Sequence, residues 1–283
     1  VASVPTTAGH IPLSLEPWFF HPLAAPEPPE TEEFLMKLMK FVFSFSATAI
    51  ASLALTCSAA TLVSDDFSYP DGNLVGNGLW VAHSGAGSNP VQVAGGQAVL
   101  VHGSGSREDA SIPFADVTGG ILTASFDMVV TDDTPITGTT LEYFAHFFTA
   151  DNFNFTSRLD VVPATMGGDY ALGLATLSAT AETITDVDFT YGETVAVELS
   201  YNFASGLASL VATGINGTST IASTTVGTES LLNRFALRQA NSGNDETITI
   251  DNLVISAVPE PATAYLALGA CLAGVVAMRR RLG

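Results

Sequence analysis

From Thr61 to Ala257 the apolar residues fall in short runs, some alternating with polar ones and some continuous, and each run is closed by a cluster of Gly, Asn, Asp, Ser or Pro. A period of two buries one face of a strand, whereas an amphipathic helix needs apolar residues three and four apart. No convincing long helix fits this stretch, and the spacing predicts an all-β sandwich. Strands are expected at Leu79–His83, Gln97–His102, Ile121–Thr131, Leu141–Thr149, Phe155–Val162 and Tyr170–Leu177. A second series is expected at Thr194–Phe203, Leu207–Thr213, Leu231–Gln239 and Glu246–Ser256. The clearest hairpin alternates Val195, Val197, Leu199 and Tyr201, turns at Ala204-Ser205-Gly206 and returns from Leu207. Gly206 supplies the positive φ that such turns demand. Ile248 and Ile250 would share one face of a late strand.

Both cysteines, Cys57 and Cys271, fall outside this stretch, so the domain must hold together through an apolar core rather than disulfides. Its charge is one-sided: 22 acidic residues stand against four basic ones (Arg107, Arg158, Arg234 and Arg238), a net of −18 with no Lys. Such a field repels phosphate backbones and anionic lipid, which excludes nucleic acid as a partner. Divalent cations and neutral polysaccharide remain compatible with it. So does a plain solubility role outside the cell.

The flanks read differently. Lys37 and Lys40, the apolar run Phe41–Leu55 and the small residues Ser58, Ala59 and Ala60 have the three parts of a signal peptide, with cleavage expected after Ala59 or Ala60. A retained membrane anchor is the alternative, but the run is shorter than the roughly 20 residues a span prefers. A lipoprotein role for Cys57 fits poorly, because Thr56 and Ala54 are not the residues expected before it. Translation is expected to start at Met36 or Met39, which makes 1–35 an unstructured extension or an artefact of the assigned start. At the other end Pro259 and Pro261 hold the chain extended. The stretch Ala262–Met278 is apolar throughout and would cover about 25 Å as a helix, close to a bilayer core. Arg279, Arg280 and Arg281 would stay cytoplasmic.

This order of Val258-Pro259-Glu260-Pro261, span and Arg cluster resembles the PEP-CTERM sorting signal of exported bacterial proteins. The resemblance implies cleavage near the motif by an exosortase, a membrane enzyme with a Cys nucleophile, after signal peptidase has acted at the other end. It also implies a membrane tie through the C-terminal helix before processing, and then the cell surface or extracellular matrix. An ordinary tail anchor is the alternative. The body, 61–257, resembles the laminin-G-like and concanavalin-like jelly rolls. The likeness lies in Asp65-Asp66-Phe67-Ser68-Tyr69-Pro70-Asp71-Gly72 with Gly78-Leu79-Trp80, in Tyr201–Leu210, and in Ile250-Asp251-Asn252-Leu253-Val254-Ile255. The expected architecture is therefore a jelly-roll β-sandwich between an N-terminal signal helix and a C-terminal transmembrane helix. In that family the first and last strands are neighbours, which would bring Asp65 and Asp66 toward Asp251.

No Glu-x-Asp-x-x-Glu triplet of the concanavalin-like glucanases occurs, and no catalytic residue is assigned. Asp186 with Asp188, or Glu193 with Glu198, could serve as paired carboxylates but read better as solvated strand edges. His83, His102 and His146 have no metal-ligand spacing and read as strand-surface residues. The jelly-roll resemblance makes structural calcium the expected ion. Asp66 with Asp251 is its candidate site, and Asp151–Asn154 and Asn241–Glu246 are oxygen-rich loops. A sugar would need an exposed ring to stack on, and Trp80 is the candidate. In the aromatic strand Tyr143 and Phe147 are expected on one face and Phe144 and Phe148 on the other, mostly as core. The function expected is a non-enzymatic structural or carbohydrate-binding one, with extracellular polysaccharide as partner. A polysaccharide-active hydrolase or lyase on the same fold is the alternative.

Overall fold

The computed structural model describes residues 58–132, 136, 143–150, 154–239 and 246–259. Residues 1–57, and with them the expected extension and signal helix, lie outside the described residues. So does the expected transmembrane helix at 262–278. The first strands in chain order are β1 (Ala60–Asp65), β2 (Gly72–Asn73), β3 (Val81–Ser84), β4 (Gln92–Ala94), β5 (Gln97–Val101) and β6 (Asp109–Val117). Then come β7 (Ile121–Thr131), β8 (Tyr143–Phe148), β9 (Thr156–Pro163), β10 (Tyr170–Ala175) and β11 (Thr183–Ile184). The last are β12 (Val195–Asn202), β13 (Leu207–Gly214), β14 (Gly217–Ala222), β15 (Leu232–Leu237) and β16 (Thr247–Val258).

They form two antiparallel sheets. The first has nine strands in the order β14-β13-β12-β7-β16-β5-β4-β2, with β1 also paired to β16. The second has seven, in the order β11-β10-β9-β8-β15-β6-β3. This is the all-β sandwich that the alternation predicts, and it is the jelly-roll sandwich that the resemblance implies. Leu122, Ala124, Phe126, Met128 and Val130 of β7 are all buried while their neighbours are not. Val195, Val197, Leu199 and Tyr201 of β12 share the core with them. Across the sandwich the Phe126 ring lies 6.2 Å from Phe235 of the second sheet, and Phe235 lies 5.4 Å from Phe147. Each such side chain contributes about 1.5–3 kcal/mol through removal from water.

Two interruptions of the period carry structural meaning. In β16 the buried residues shift from Ile248 and Ile250 to Leu253 and Ile255. An extra residue at Asp251–Asn252 makes the shift: the register with β7 slips there, and Asn252 adopts φ 54°. The bulge separates the half of β16 paired with β5 from the half paired with β1. In β8 irregularities in the register with β9 break the expected alternation. Phe144 and Phe147, not Tyr143 and Phe147, belong to the core, while Phe148 packs 4.3 Å from His83 outside it. Strands β1, β2, β4, β6, β11 and β14 were not among the expected ones. In β6 a central Pro113 and the polar flanks Asp109, Ser111 and Asp116 obscure the pattern.

Pairing sets which elements share an end of the sandwich. At one end Ala60 lies opposite Ala257, and Val258 lies opposite Ile121. Gly120, φ 80°, closes the preceding turn, and a Cβ on it would run into the Val258 carbonyl. Phe203 donates its N–H to Gly120 there at 3.0 Å. At the other end lie the close of β5, the start of β6 and the start of β16: Thr247 faces Val101, and Ala110 faces Leu237. Strand β6 spans the distance between the two ends, about 25 Å at the usual rise.

Candidate functional site

The expected site residues resolve first. Trp80 is 2 % exposed, and its ring stacks on Phe67 at 5.9 Å. Its indole N–H donates to Asp65 Oδ2 at 2.8 Å. Asp65 also accepts the Phe67 N–H at 2.9 Å and the Tyr69 hydroxyl at 3.0 Å. Burial and that hydrogen bond push the Tyr69 phenol up to about 12. Trp80 is thus a structural anchor of the first strand and has no open face for a sugar, which corrects its assignment as a binding ring.

The β1–β16 pairing does bring the Asp65–Asp66 turn beside the Asp251 bulge, with Asp65 opposite Leu253. Each candidate calcium ligand nevertheless serves its own turn. Asp66 Oδ1 accepts the Ser68 N–H at 3.2 Å, and Asp251 Oδ1 accepts the Asn252 N–H at 2.7 Å. No group of three or more His, Cys, Asp or Glu that could hold a metal forms among the described residues. The pair does not fit a calcium cage, which needs six or more oxygens. The loops 151–153 and 240–245 lie outside the described residues.

Asp188 accepts the main-chain N–H groups of Thr165 (2.9 Å), Gly168 (3.1 Å) and Met166, which hold its carboxyl below the usual range despite burial. Asp186 accepts the Ser219 hydroxyl at 2.5 Å, and Glu193 accepts the Thr190 and Ile215 N–H groups at 2.7 and 2.8 Å. These carboxylates clamp loops together. Two of the three histidines are not surface residues: His102 is 1 % and His146 0 % exposed, while His83 is half-buried. Burial holds His102 down to about 3, with Glu246 3.5 Å away, and burial likewise pushes His146 well below its ordinary value.

Of the processing residues, Ala59 precedes β1 and Ala60 opens it. Val258 ends β16 and Pro259 follows directly, while Glu260, Pro261, Arg279, Arg280 and Arg281 lie outside the described residues.

A site that the sequence did not announce lies at the other end, on the outer face of the second sheet. His83 and Ser84 of β3, Asp109 at the start of β6, Tyr143 at the start of β8, Phe155 before β9 and Arg238 after β15 line a cavity of about 270 Å³. Four strand ends converge there because β3, β6, β15 and β8 are consecutive in the sheet. A slip in the β3–β6 register at His83 turns Ser84 onto Asp109, whose Oδ2 accepts the Ser84 hydroxyl at 2.7 Å. Asp109 Oδ1 accepts the Gln239 N–H at 2.9 Å. Burial raises the Asp109 carboxyl, and these hydrogen bonds oppose the rise.

Above the sheet the rings cluster. His83 lies 5.3 Å from Phe155, and His146 lies 4.5 Å from Phe155 and 5.2 Å from Tyr143. Neither ring nitrogen of His146 has a hydrogen-bond partner. The Arg238 guanidinium sits 4.4 Å and that of Arg158 4.6 Å from the Tyr143 ring centre. The lining thus offers flat apolar rings, a guanidinium, a hydroxyl and a carboxyl within one cavity, the mixture that small-molecule sites use. Among the described residues Asp109 is the one carboxylate in the lining, and glycoside hydrolysis needs a facing pair. One signal in the sequence could have pointed here: arginines this scarce in an acidic body are worth locating one by one.

Residues 257–281 match the family model for the PEP-CTERM protein-sorting motif. That motif marks an exported protein, tied to the membrane at its C-terminus and processed by an exosortase. A search of curated proteins found no match to the chain. Among solved structures the chain is similar to a peanut lectin with a 9mer peptide, with 12 % identity, TM-score 0.49, and 71 % of this chain and 97 % of that one covered. It is also similar to the lectin UEA-II complexed with galactose, with 13 % identity, TM-score 0.48, and 71 % and 100 % covered. A sialidase matches with 15 % identity, TM-score 0.47, and 72 % and 19 % covered.

Proposed function

We propose that the chain is an exported, exosortase-processed protein of the cell surface or extracellular matrix, and that its sandwich binds saccharide without cleaving it. The observation that carries this reading is the cavity at the ends of β3, β6, β8 and β15, where Tyr143 and Phe155 present rings beside Arg238, Ser84 and Asp109. A pyranose has an apolar face that stacks on such rings and a rim of hydroxyls that need donors and acceptors. Among the described residues the lining carries one carboxyl, which favours binding over hydrolysis.

The competing reading, a polysaccharide hydrolase or lyase, draws support from that same carboxyl, which burial raises toward the range of a general acid. Incubating the full chain with a panel of extracellular polysaccharides separates the two. Retention of a polysaccharide with no new reducing ends and no unsaturated products supports the binding reading. Either product sinks it, and so does failure to retain any member of the panel.

A further inference from the structure

The sorting motif and the last strand overlap. The motif spans 257–281, whereas β16 runs through Val258. The end of that strand is held from both sides. Ser256 and Ala257 lie opposite Thr123 and Leu122 of β7, and opposite Thr61 and Ala60 of β1. Val258 lies opposite Ile121 of β7. The strand stops at Pro259, which is exposed and has no N–H to give to a ladder.

One contact makes the overlap tight. Gly120, in the turn before β7, has φ 80°. It lies so close to β16 that a Cβ on it would strike the Val258 carbonyl and come within 3.0 Å of Pro259 Cα. Glycine is what lets two backbones approach this closely. The turn is braced in its own place, because the Gly120 carbonyl accepts the Phe203 N–H at 3.0 Å.

Cleavage by a Cys enzyme needs the opposite arrangement. The thiolate adds to the scissile carbonyl carbon while donors gather on the carbonyl oxygen. The C–N bond breaks, and the C-terminal piece leaves as an amine that has taken up a proton. The thioester left on the body then passes its acyl group to water or to an acceptor nucleophile, which restores the thiol. Space is needed around that carbonyl, and an extended peptide is gripped through its main-chain groups. In the folded chain Gly120 fills the space beside the Val258 carbonyl, and the strand up to it is already paired with β7 and, through Ala257, with β1.

We infer that the sheet decides which bond the exosortase can cut: cleavage falls after Pro259 or a later residue, not at Val258–Pro259 or before it. Gly120 and Ile121 are then positioning residues for this reaction, holding back the first two residues of the motif. This rests on the reading of the chain as an exosortase substrate. The rate of processing is limited by how readily the end of β16 gives up its pairings.

The test is processing of the full chain in membranes, co-expressed with an exosortase, with the product read by intact mass. Every product of the unaltered chain is expected to end at Pro259 or later. Inserting Gly-Ser-Gly-Ser between Val258 and Pro259 gives the enzyme residues outside the sheet to grip. It should speed processing about fivefold, the factor that one or two ladder hydrogen bonds supply, and the cut should move with the motif. Gly120→Val, which displaces the Val258 carbonyl, should give a similar gain in the original chain and none in the chain with the insertion, a failure of additivity that a general loss of stability does not produce. The insertion lies beyond the last strand, so the test stands even if Gly120→Val does not fold. A product of the unaltered chain that ends at Val258 or earlier, an insertion without effect on rate, or gains that multiply in the combined variant overturns the inference and leaves the exosortase reading intact. If no form of the chain is processed, that reading falls and the inference with it.

Discussion

The two ends of the sandwich are built to different rules. At the end where β1 begins and β16 finishes, Ala60 faces Ala257, Val258 faces Ile121, and the sorting motif leaves the sheet with Pro259. Farther along β1 its polar groups are consumed by structure: one carboxylate, Asp65, takes three donors, and Asp66 and Asp251 cap their own turns. At the opposite end the strands β3, β6, β8 and β15 close around a cavity with a guanidinium, a carboxyl and a hydroxyl in its lining, above a buried histidine that makes no hydrogen bond. One end carries the sorting motif, and the other carries the cavity proposed for recognition. Some 25 Å of strand separates them.

The comparison predicts that damage at one end leaves the other working. The largest effect is expected from Asp65→Ala, which strands the Trp80 indole N–H, the Tyr69 hydroxyl and the Phe67 N–H together. It should cost about 3–5 kcal/mol in chemical denaturation, while the fraction that remains folded binds saccharide normally. A loss of binding in folded protein would show that the ends are coupled.

Next comes Gly120→Val, which meets both a positive φ and the Val258 carbonyl. A destabilisation of about 1–3 kcal/mol is expected, together with faster exosortase processing as the end of β16 loosens and unchanged retention of polysaccharide. Slower processing would break the link between strand pairing and motif access.

Acid should act on the opposite end. His102, held down to about 3, and His146, held well below its ordinary value, are neutral in the fold and protonate more readily once unfolded. Their contribution is present above about pH 6.5 and is lost as pH falls from there toward the folded values. Asp109, raised by burial, works in the reverse sense over the carboxylate range. Between pH 7 and 5 the melting temperature should fall by roughly 5 °C, and hydrogen exchange should accelerate in β5 and β8 before β1. Exchange that rises first in β1 would reverse the assignment.

Phe155→Ala should weaken saccharide binding by about tenfold through loss of a stacking ring and leave exosortase processing unchanged, read by titration and by mass. The smallest effect is expected from Asp66→Asn with Asp251→Asn: the melting temperature should move by less than about 1 °C with or without a calcium chelator, since surface changes of this kind stay within a few tenths of a kcal/mol. A chelator-sensitive loss of several degrees that the double variant abolishes would restore a calcium site between the first and last strands.

Much of the fold was legible because burial of one sheet face writes itself directly into the residue order. Ile121–Thr131 was expected and found with identical bounds, and Gly206 turns the expected hairpin with φ 67°. Strand β6 hid because its central Pro113 and its polar flanks break the pattern. The aromatic strand was assigned to the wrong faces because a bulge inverts side-chain parity and leaves no mark in composition. Trp80 illustrates the same limit. A lone Trp in a polar body suggests a sugar platform, yet whether its ring meets solvent depends on Asp65, fifteen positions earlier, accepting its N–H.

The sequence by itself determined the class of fold, the acidic and Cys-free character of the body and the sorting motif at 257–281. Each follows from local order: alternation selects strands, and a short motif is read as a string. Tertiary structure alone decided which polar residues are spent on stability and which line a cavity. Asp65 and Trp80 went to the first role, and Asp109, Tyr143 and Arg238 to the second. That division depends on which strand ends converge across more than 100 positions of chain, and strand order in a sheet is set by packing over the whole core rather than by any segment of it.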